Sequence, residues 1–276
     1  MQAAVPSGVS HAAPPILEFR DVAKTFDTQR GSVTALRGIS VTVADGEFLT
    51  VVGPSGCGKS TLLNLLVGLE KPSSGAIFFE GSNAIDRMKI GYVMQDDNLY
   101  PWRTLQENVE FPLELRGVAP RERSRIARQY LAKVQLAGFE NRYPYELSGG
   151  MRQRGNIVRA LSYSPRLIIM DEPFGPLDAQ TRLLLQQQLL DIWAQERKTI
   201  IFITHDLHEA IALGDRVLVL TKRPGSVKSV HTVDIPRPRN LRHLHELPAF
   251  RSLMSTLGDE LEEEIMGSQR EVEVAA

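Results

Sequence analysis

The sequence has one cysteine, Cys57, in 276 residues. A single cysteine cannot close an intrachain disulfide or build a four-cysteine zinc site, and nothing in its use points to an oxidising compartment. An excess of basic charge is also missing. Lys and Arg number 32 against 33 Asp and Glu, a formal net charge of -1, so no nucleic-acid partner is indicated. No apolar run approaches the roughly 20 residues that span a bilayer; the run at 167–170 is typical of the longest. The first fifteen residues carry neither Lys nor Arg nor a long apolar stretch. That argues against a secretory signal and for a flexible tail over 1–15, rich in Ala, Pro and Ser. Together these absences predict a soluble cytoplasmic chain whose link to a membrane comes through a partner. The balance of 42% hydrophobic and 24% charged residues excludes collagen-like, low-complexity and wholly disordered chains. The length fits one large domain or two small ones.

Short runs rich in Val, Ile, Phe and Thr predict strands at 16–20, 39–43, 47–52, 76–80, 89–93, 167–170, 199–203 and 216–220. Helical patterns alternate with the later ones, at 60–69, 179–197 and 207–213. This alternation predicts a mostly parallel α/β sheet covered by helices. From 105 to 161 the pattern is helical, with breaks at Gly117, Pro120 and Pro144, and reads as an inserted subdomain. Pro236-Arg237-Pro238-Arg239 marks a boundary. Beyond it Leu247, Phe250, Leu253, Leu257, Leu261 and Ile265 recur at steps of three and four, so an amphipathic helix is expected to pack back on its own domain. Its acidic end, 259–264, reads as a solvated face.

Gly53-Pro54-Ser55-Gly56-Cys57-Gly58-Lys59-Ser60 fits the G-x-x-x-x-G-K-[ST] pattern and is followed by Thr61. Its glycines let backbone N–H groups turn inward around phosphate oxygens. Lys59 places a charge on the β- and γ-phosphates, and the Ser60 hydroxyl suits Mg²⁺. The next helix points its positive end at the same anion. A random chain of this length would show the pattern roughly 1% of the time, and here it lies between a predicted strand and helix. ATP binding is the expected function. Cys57 reads as a tolerated position in this loop, with a reactive thiol as the alternative.

The apolar strand at 167–170 ends in Asp171-Glu172-Pro173. A buried strand delivers carboxylates rigidly to the edge where open α/β sheets bind ligands. Asp171 is placed to organise Mg²⁺, and Glu172 to polarise an attacking water. The strand at 199–203 likewise delivers His205, within reach of a γ-phosphate. A metal cluster of His205, His208 and Glu209 matches no standard zinc spacing.

Leu147-Ser148-Gly149-Gly150-Met151-Arg152-Gln153-Arg154 closely resembles the signature sequence of ABC (ATP-binding cassette) ATPases. The order of phosphate loop, Gln95, signature, Asp171-Glu172, Asp178 and His205 matches that family over about residues 16–240. The resemblance implies a P-loop NTPase core of class α/β: a RecA-like, mostly parallel sheet with an antiparallel β part, and an inserted α-helical subdomain over about 98–159. Residues 241–276 would then form a C-terminal helical extension. It implies that Gln95 senses Mg²⁺ and the attacking water, that Phe26 stacks on adenine, that Glu172 is the catalytic base, and that His205 is catalytic too. A core aromatic is the rival reading of Phe26. Ser148, Gly149 and Gly150 would face a γ-phosphate held by a second copy of the chain, with Asp178 at the same interface. Two departures stand out. Gly155 and Asn156 occupy positions where the family usually has better helix formers, which predicts a looser helix. Pro176 replaces a common small residue and is expected to stiffen its loop.

The chain carries one cassette and no fused membrane segment, which favours the ATPase subunit of an importer over exporters and soluble ABC machines. The run Gln95 to Thr104, with Tyr100-Pro101-Trp102-Arg103-Thr104, is similar to that of nitrate, sulfonate and taurine importers. So are Thr34-Ala35-Leu36, Ala44 to Phe48 and Ile235 to Arg239. The resemblance implies a homodimeric ATPase on the inner face of the cell membrane, working with permease subunits and, indirectly, a solute-binding protein. Tyr100 and Trp102 would line a groove for a permease helix, with a packed loop as the alternative. An importer of another solute, such as a vitamin precursor or polyamine, and a soluble ATPase switch without a permease remain open.

Overall fold

The computed structural model describes residues 14–29 and 31–275, with side chains to residue 266. The expected tail at 1–15 therefore lies almost wholly outside the described residues. Three antiparallel strands form one sheet in the order β2 (Gly31–Val43), β1 (Leu17–Thr28), β4 (Ser74–Phe79). Six strands form the other: β5 (Ile90–Val93), β6 (Leu167–Asp171), β7 (Thr199–Ile203), β3 (Phe48–Val52), β8 (Arg216–Leu220) and β9 (Val227–Thr232). All six are parallel except β9, which pairs antiparallel with β8.

Because successive strand residues face opposite ways, each buried strand feeds two cores. Ile168, Met170, Ile200 and Phe202 pack into one. Leu167, Ile169, Ile201 and Ile203 pack into the other. The first core lies against α4 (Gly149–Leu161), α5 (Ala179–Glu196) and α6 (Leu207–Leu213). The second holds α1 (Lys59–Leu66) against the antiparallel sheet.

Two further helices, α2 (Leu105–Glu114) and α3 (Pro120–Lys133), pack with α4 between β5 and β6. Thr104 starts α2 with a reciprocal cap: its hydroxyl accepts from the Glu107 N–H, and the Glu107 carboxylate accepts from the Thr104 N–H. Strands β1 and β2 run well beyond the expected 16–20 and 39–43, and β9 was not expected. Their added segments carry Lys, Thr, Asp and Ser, so no apolar run betrays them.

The expected looseness at Gly155 is not seen. Helix α4 runs unbroken through it, and a Cβ there would come within 2.6 Å of Leu105 Cδ1. The glycine is what lets α4 and α2 approach. Asn156 is buried, and its amide reaches the Met94 and Asp96 carbonyls at 3.5 and 3.4 Å.

Helix α7 (Pro248–Ala275) packs on α6, with Phe250 and Leu257 buried. Its acidic stretch is not simply solvated. Glu260 accepts from His231 and Ser229, and Glu264 accepts from the Lys222 N–H, while Lys228 pairs with Glu263 and Glu264 at 2.9 Å. The polar strand β9 supplies Lys228, Ser229 and His231, and the loop before it supplies the Lys222 N–H. The Pro-Arg-Pro-Arg run is structural as well. Arg237 lies over the Trp193 ring at 4.1 Å and pairs with Asp215, and Arg239 donates to the carbonyls of Ile211, Ala212 and Gly214 at the end of α6. Burial lowers the Arg239 pKa to about 10.

Candidate nucleotide site

Strand β3 is buried along its whole length and ends at the loop 53–58, from which α1 starts. Gly58 precedes α1 with φ +100, a backbone region that only glycine enters easily. A Cβ there would also lie 2.7 Å from Leu36 Cδ2 and 2.9 Å from the Ala35 carbonyl. The loop bends back so that Lys59 Nζ donates to the Gly53 carbonyl at 2.8 Å and the Pro54 carbonyl at 3.2 Å. A cavity of about 360 Å³ opens beside it, lined by Phe26, Ser55, Gly56, the run Gly58 to Thr61, Glu172 and Arg223. The half-buried Phe26 thus faces the cavity rather than the core, with Lys24 Nζ 4.8 Å from its ring.

Cys57 faces the other way. It is fully buried with its sulfur against Gly53, and burial pushes its thiol up despite the nearby Lys59. Burial and the raised thiol pKa argue against the reactive-thiol alternative, since the thiolate is the reactive form. Only the Cys57 backbone is available to a phosphate.

Beside the cavity, β6 ends in Asp171 and Glu172. The Glu172 N–H makes one more ladder bond, to the Ile203 carbonyl at 3.0 Å. Its backbone then turns into the left-handed region with φ +44, a conformation uncommon for a residue with a side chain. Such outliers persist where their surroundings enforce them, often at functional sites. The turn brings Glu172 Oε2 to 2.9 Å from His205 Nδ1. Asp171 is half-buried, and burial and the Glu172 charge raise its pKa, while Lys59 and the Tyr92 hydroxyl act in the opposite direction. Tyr92 is itself pushed up to about 12 by burial and by Asp171.

Gln95 lies beside Gly175, in the turn that carries Glu172, and does not line the cavity. Among the described residues no three His, Cys, Asp or Glu cluster as a metal cage. Of the expected ligands the Ser60 hydroxyl lines the cavity, while the Gln95 amide and the Asp171 carboxylate are not in its lining. That all-oxygen set with a single acid fits Mg²⁺, which keeps waters and phosphate oxygens as its other ligands.

Ser148, Gly149, Gly150 and Asp178 are not brought to this cavity. The Ser148 hydroxyl caps α4 by accepting from the Met151 N–H at 3.3 Å, and Gly150 packs on Thr181 of α5. Asp178 caps α5, accepting from the N–H groups of Gln180 and Thr181; the Thr181 hydroxyl first, and then these N–H bonds, hold its carboxyl below the usual range. The loop after β5 is tied to α4 by three side chains on one helix face. Arg152 bonds Asp97 at 2.7 Å, Asn156 reaches the Met94 and Asp96 carbonyls, and Arg159 donates to the Asn98 carbonyl at 2.7 Å. Arg223 and Tyr92 went unnoticed in the sequence. Neither lies in a motif, and only the folding of β5 and of the loop after β8 brings them to the site.

A second, smaller cavity of about 160 Å³ is lined by Tyr92, Tyr100, Phe111, Leu115, Arg159 and Tyr163. Trp102 is 71% exposed and meets Tyr100 in a tilted ring contact, centroids 5.4 Å apart.

Residues 36–175 match the family model for ABC transporters. The chain is 45% identical over 249 residues to an uncharacterized ABC transporter ATP-binding protein of Methanocaldococcus jannaschii, covering 89% of this chain and 92% of that one. It is 45% identical to the nitrate import ATP-binding protein of Synechocystis sp., covering 80% of this chain and 83% of that one. It is 41% identical to the aliphatic sulfonates import ATP-binding protein of Bacillus cereus, covering 81% and 88%. Among solved structures it resembles a dimeric ATP-binding cassette in a post-hydrolysis state bound to ADP and Pi. The TM-score is 0.71 and the identity 33%, over 80% of this chain and all of that one.

Proposed function

This chain belongs to the ABC transporter family as an ATP-binding subunit with ATPase chemistry, and from that premise we propose that it energises an importer of a small anion such as nitrate, an alkanesulfonate or taurine. The observation that carries the hydrolytic part is the Glu172–His205 pair, 2.9 Å apart at the edge of the phosphate-loop cavity. Lys59 and the N–H groups of the loop bind the phosphates, with Phe26 against the base. Glu172 accepts the proton of a water that attacks the γ-phosphorus, and His205 holds the Glu172 carboxylate in place. Ser60, Asp171 and Gln95 would hold Mg²⁺, which offsets phosphate charge when bound.

Ser148 to Gly150 open a helix away from this cavity, so their N–H groups are free to meet the ATP of a second copy. Two chains then pair head-to-tail, with Asp178 near the shared interface. No helix among the described residues is long and apolar enough to cross a membrane. The chain sits on the inner face of the membrane by docking to permease subunits, and a solute-binding protein joins only indirectly. The groove beside Tyr100 and Trp102 suits a permease helix, because exposed aromatic anchors favour such contacts.

The test is growth of a deletion strain that lacks other importers for the nutrient supplied. Taurine or an alkanesulfonate is the only sulfur source, or nitrate the only nitrogen source. We expect loss of growth on one of these, restored by wild type and not by Glu172→Gln. Unimpaired growth on all of them would reject this solute class.

A further inference from the structure

Arg182 sits in the first turns of α5 and reaches two loops at once. One is the turn 172–177; the other is the loop 204–206. Its Nη2 donates to the Leu177 carbonyl at 3.1 Å, and its Nη1 meets Asp206 Oδ2 at 3.5 Å. Its Nε lies 3.8 Å from Glu209 Oε1, yet that buried N–H has no hydrogen-bond partner. Glu209 is 5% exposed. It accepts from the Thr204 hydroxyl at 2.6 Å and from the Gln186 amide at 3.0 Å. The Thr204 hydroxyl in turn accepts from the Asp206 N–H.

We propose that Arg182 is a positioning residue for ATP hydrolysis, its guanidinium holding the turn that carries Glu172 in register with the loop that carries His205. This rests on reading Glu172 and His205 as the hydrolytic pair. Strands β6 and β7 are fastened by backbone bonds only as far as Glu172 N–H to the Ile203 carbonyl. The direct bridge, His205 to Glu172, lies toward solvent, with the His205 side chain 68% exposed. One exposed contact fixes spacing weakly. Arg182 clasps the same two loops from behind, where it is half-buried.

A buried N–H left unpaired is costly. Here the fork is stretched between the Leu177 carbonyl and two carboxylates and leaves Nε short of a bond. That arrangement favours a spacer between loops over an optimised ion pair. Arg182 also supplies the positive charge that opposes the burial of Glu209.

The experiment measures steady-state ATPase kinetics and binding of a fluorescent ATP analogue on the full chain. Arg182→Met is expected to lower kcat about tenfold or more, with KM and analogue affinity within about twofold, since small misplacements of reacting groups cost rate rather than binding. Arg182→Lys is expected to recover only part of kcat, because an ammonium cannot span the fork. If Arg182→Met fails to fold, Asp206→Asn replaces it. The asparagine oxygen can still cap α6, and the same split between kcat and KM is expected. A kcat within about twofold of wild type, or parallel losses in kcat and affinity, would overturn the proposal. Glu172→Gln and His205→Ala run alongside. If these two keep turnover, the reading of the site fails; if they lose it while Arg182→Met does not, only this inference fails.

Discussion

Burial is why Asp171 and Cys57, close in space to the same loop, have opposite uses. Burial raises both pKa values. For the thiol this disfavours the reactive thiolate, while on the proposed function the carboxyl would gain by meeting a cation. The cost falls on stability. An acid whose folded pKa is above its unfolded value binds more protons when folded, so its contribution is fully present below the unfolded pKa and is lost as pH rises through the folded one. At pH 7 Asp171 therefore opposes folding. Asp171→Asn is expected to raise the melting temperature of the nucleotide-free chain at pH 7 while abolishing ATP turnover. The gain should shrink as pH is lowered toward 4, because the raised pKa leaves more of the wild-type carboxyl neutral there. Thermal scans at the two pH values with an ATPase assay check this. An equal gain at both would refute the electrostatic cause.

At the scale of elements, Gly155 shows how packing overrides propensity. Gly inside a helix costs about 0.5–1 kcal/mol relative to Ala, so Gly155→Ala looks like an improvement by sequence rules. The added methyl would sit 2.6 Å from Leu105 Cδ1. Overpacking of that kind costs about 1–3 kcal/mol, which exceeds the gain. Chemical denaturation is expected to show Gly155→Ala less stable than wild type by up to about 2 kcal/mol. A more stable variant would mean that α2 and α4 can separate freely. The contact matters for function because the same helix, through Arg152, Asn156 and Arg159, holds the loop of Gln95. A shift of α4 is a shift of that loop.

For the whole molecule, the phosphate cavity and the signature residues lie on different parts of one chain. A second copy is the simplest way to unite them. ATP binding the closed pair better than the open one would then drive closure, and hydrolysis would reopen it. Glu172→Gln, which keeps size and removes the base, is expected to form an ATP-dependent dimer. Size-exclusion chromatography at saturating ATP checks this, and a monomer under those conditions would count against head-to-tail pairing.

Sequence alone determined the local chemistry. The glycine spacing of 53–60, the acids that end β6 and the histidine after β7 each depend on neighbours along the chain, so their spacing is visible without a fold. The apolar runs of β3, β6, β7 and β8 were legible for the same reason, since burial on both faces leaves little room for polar residues. What depends on contact across the chain was not legible. The polar strand β9 pairs with β8 and binds α7, so its residues are set by partners distant in sequence. Phe26 was ambiguous until β1 was seen to end at the cavity. Gly155 was misread because its reason is Leu105, fifty positions away. Arg182, Tyr92 and Arg223 match no pattern, and only tertiary packing, which brings separate strand ends to one sheet edge, decides what they touch.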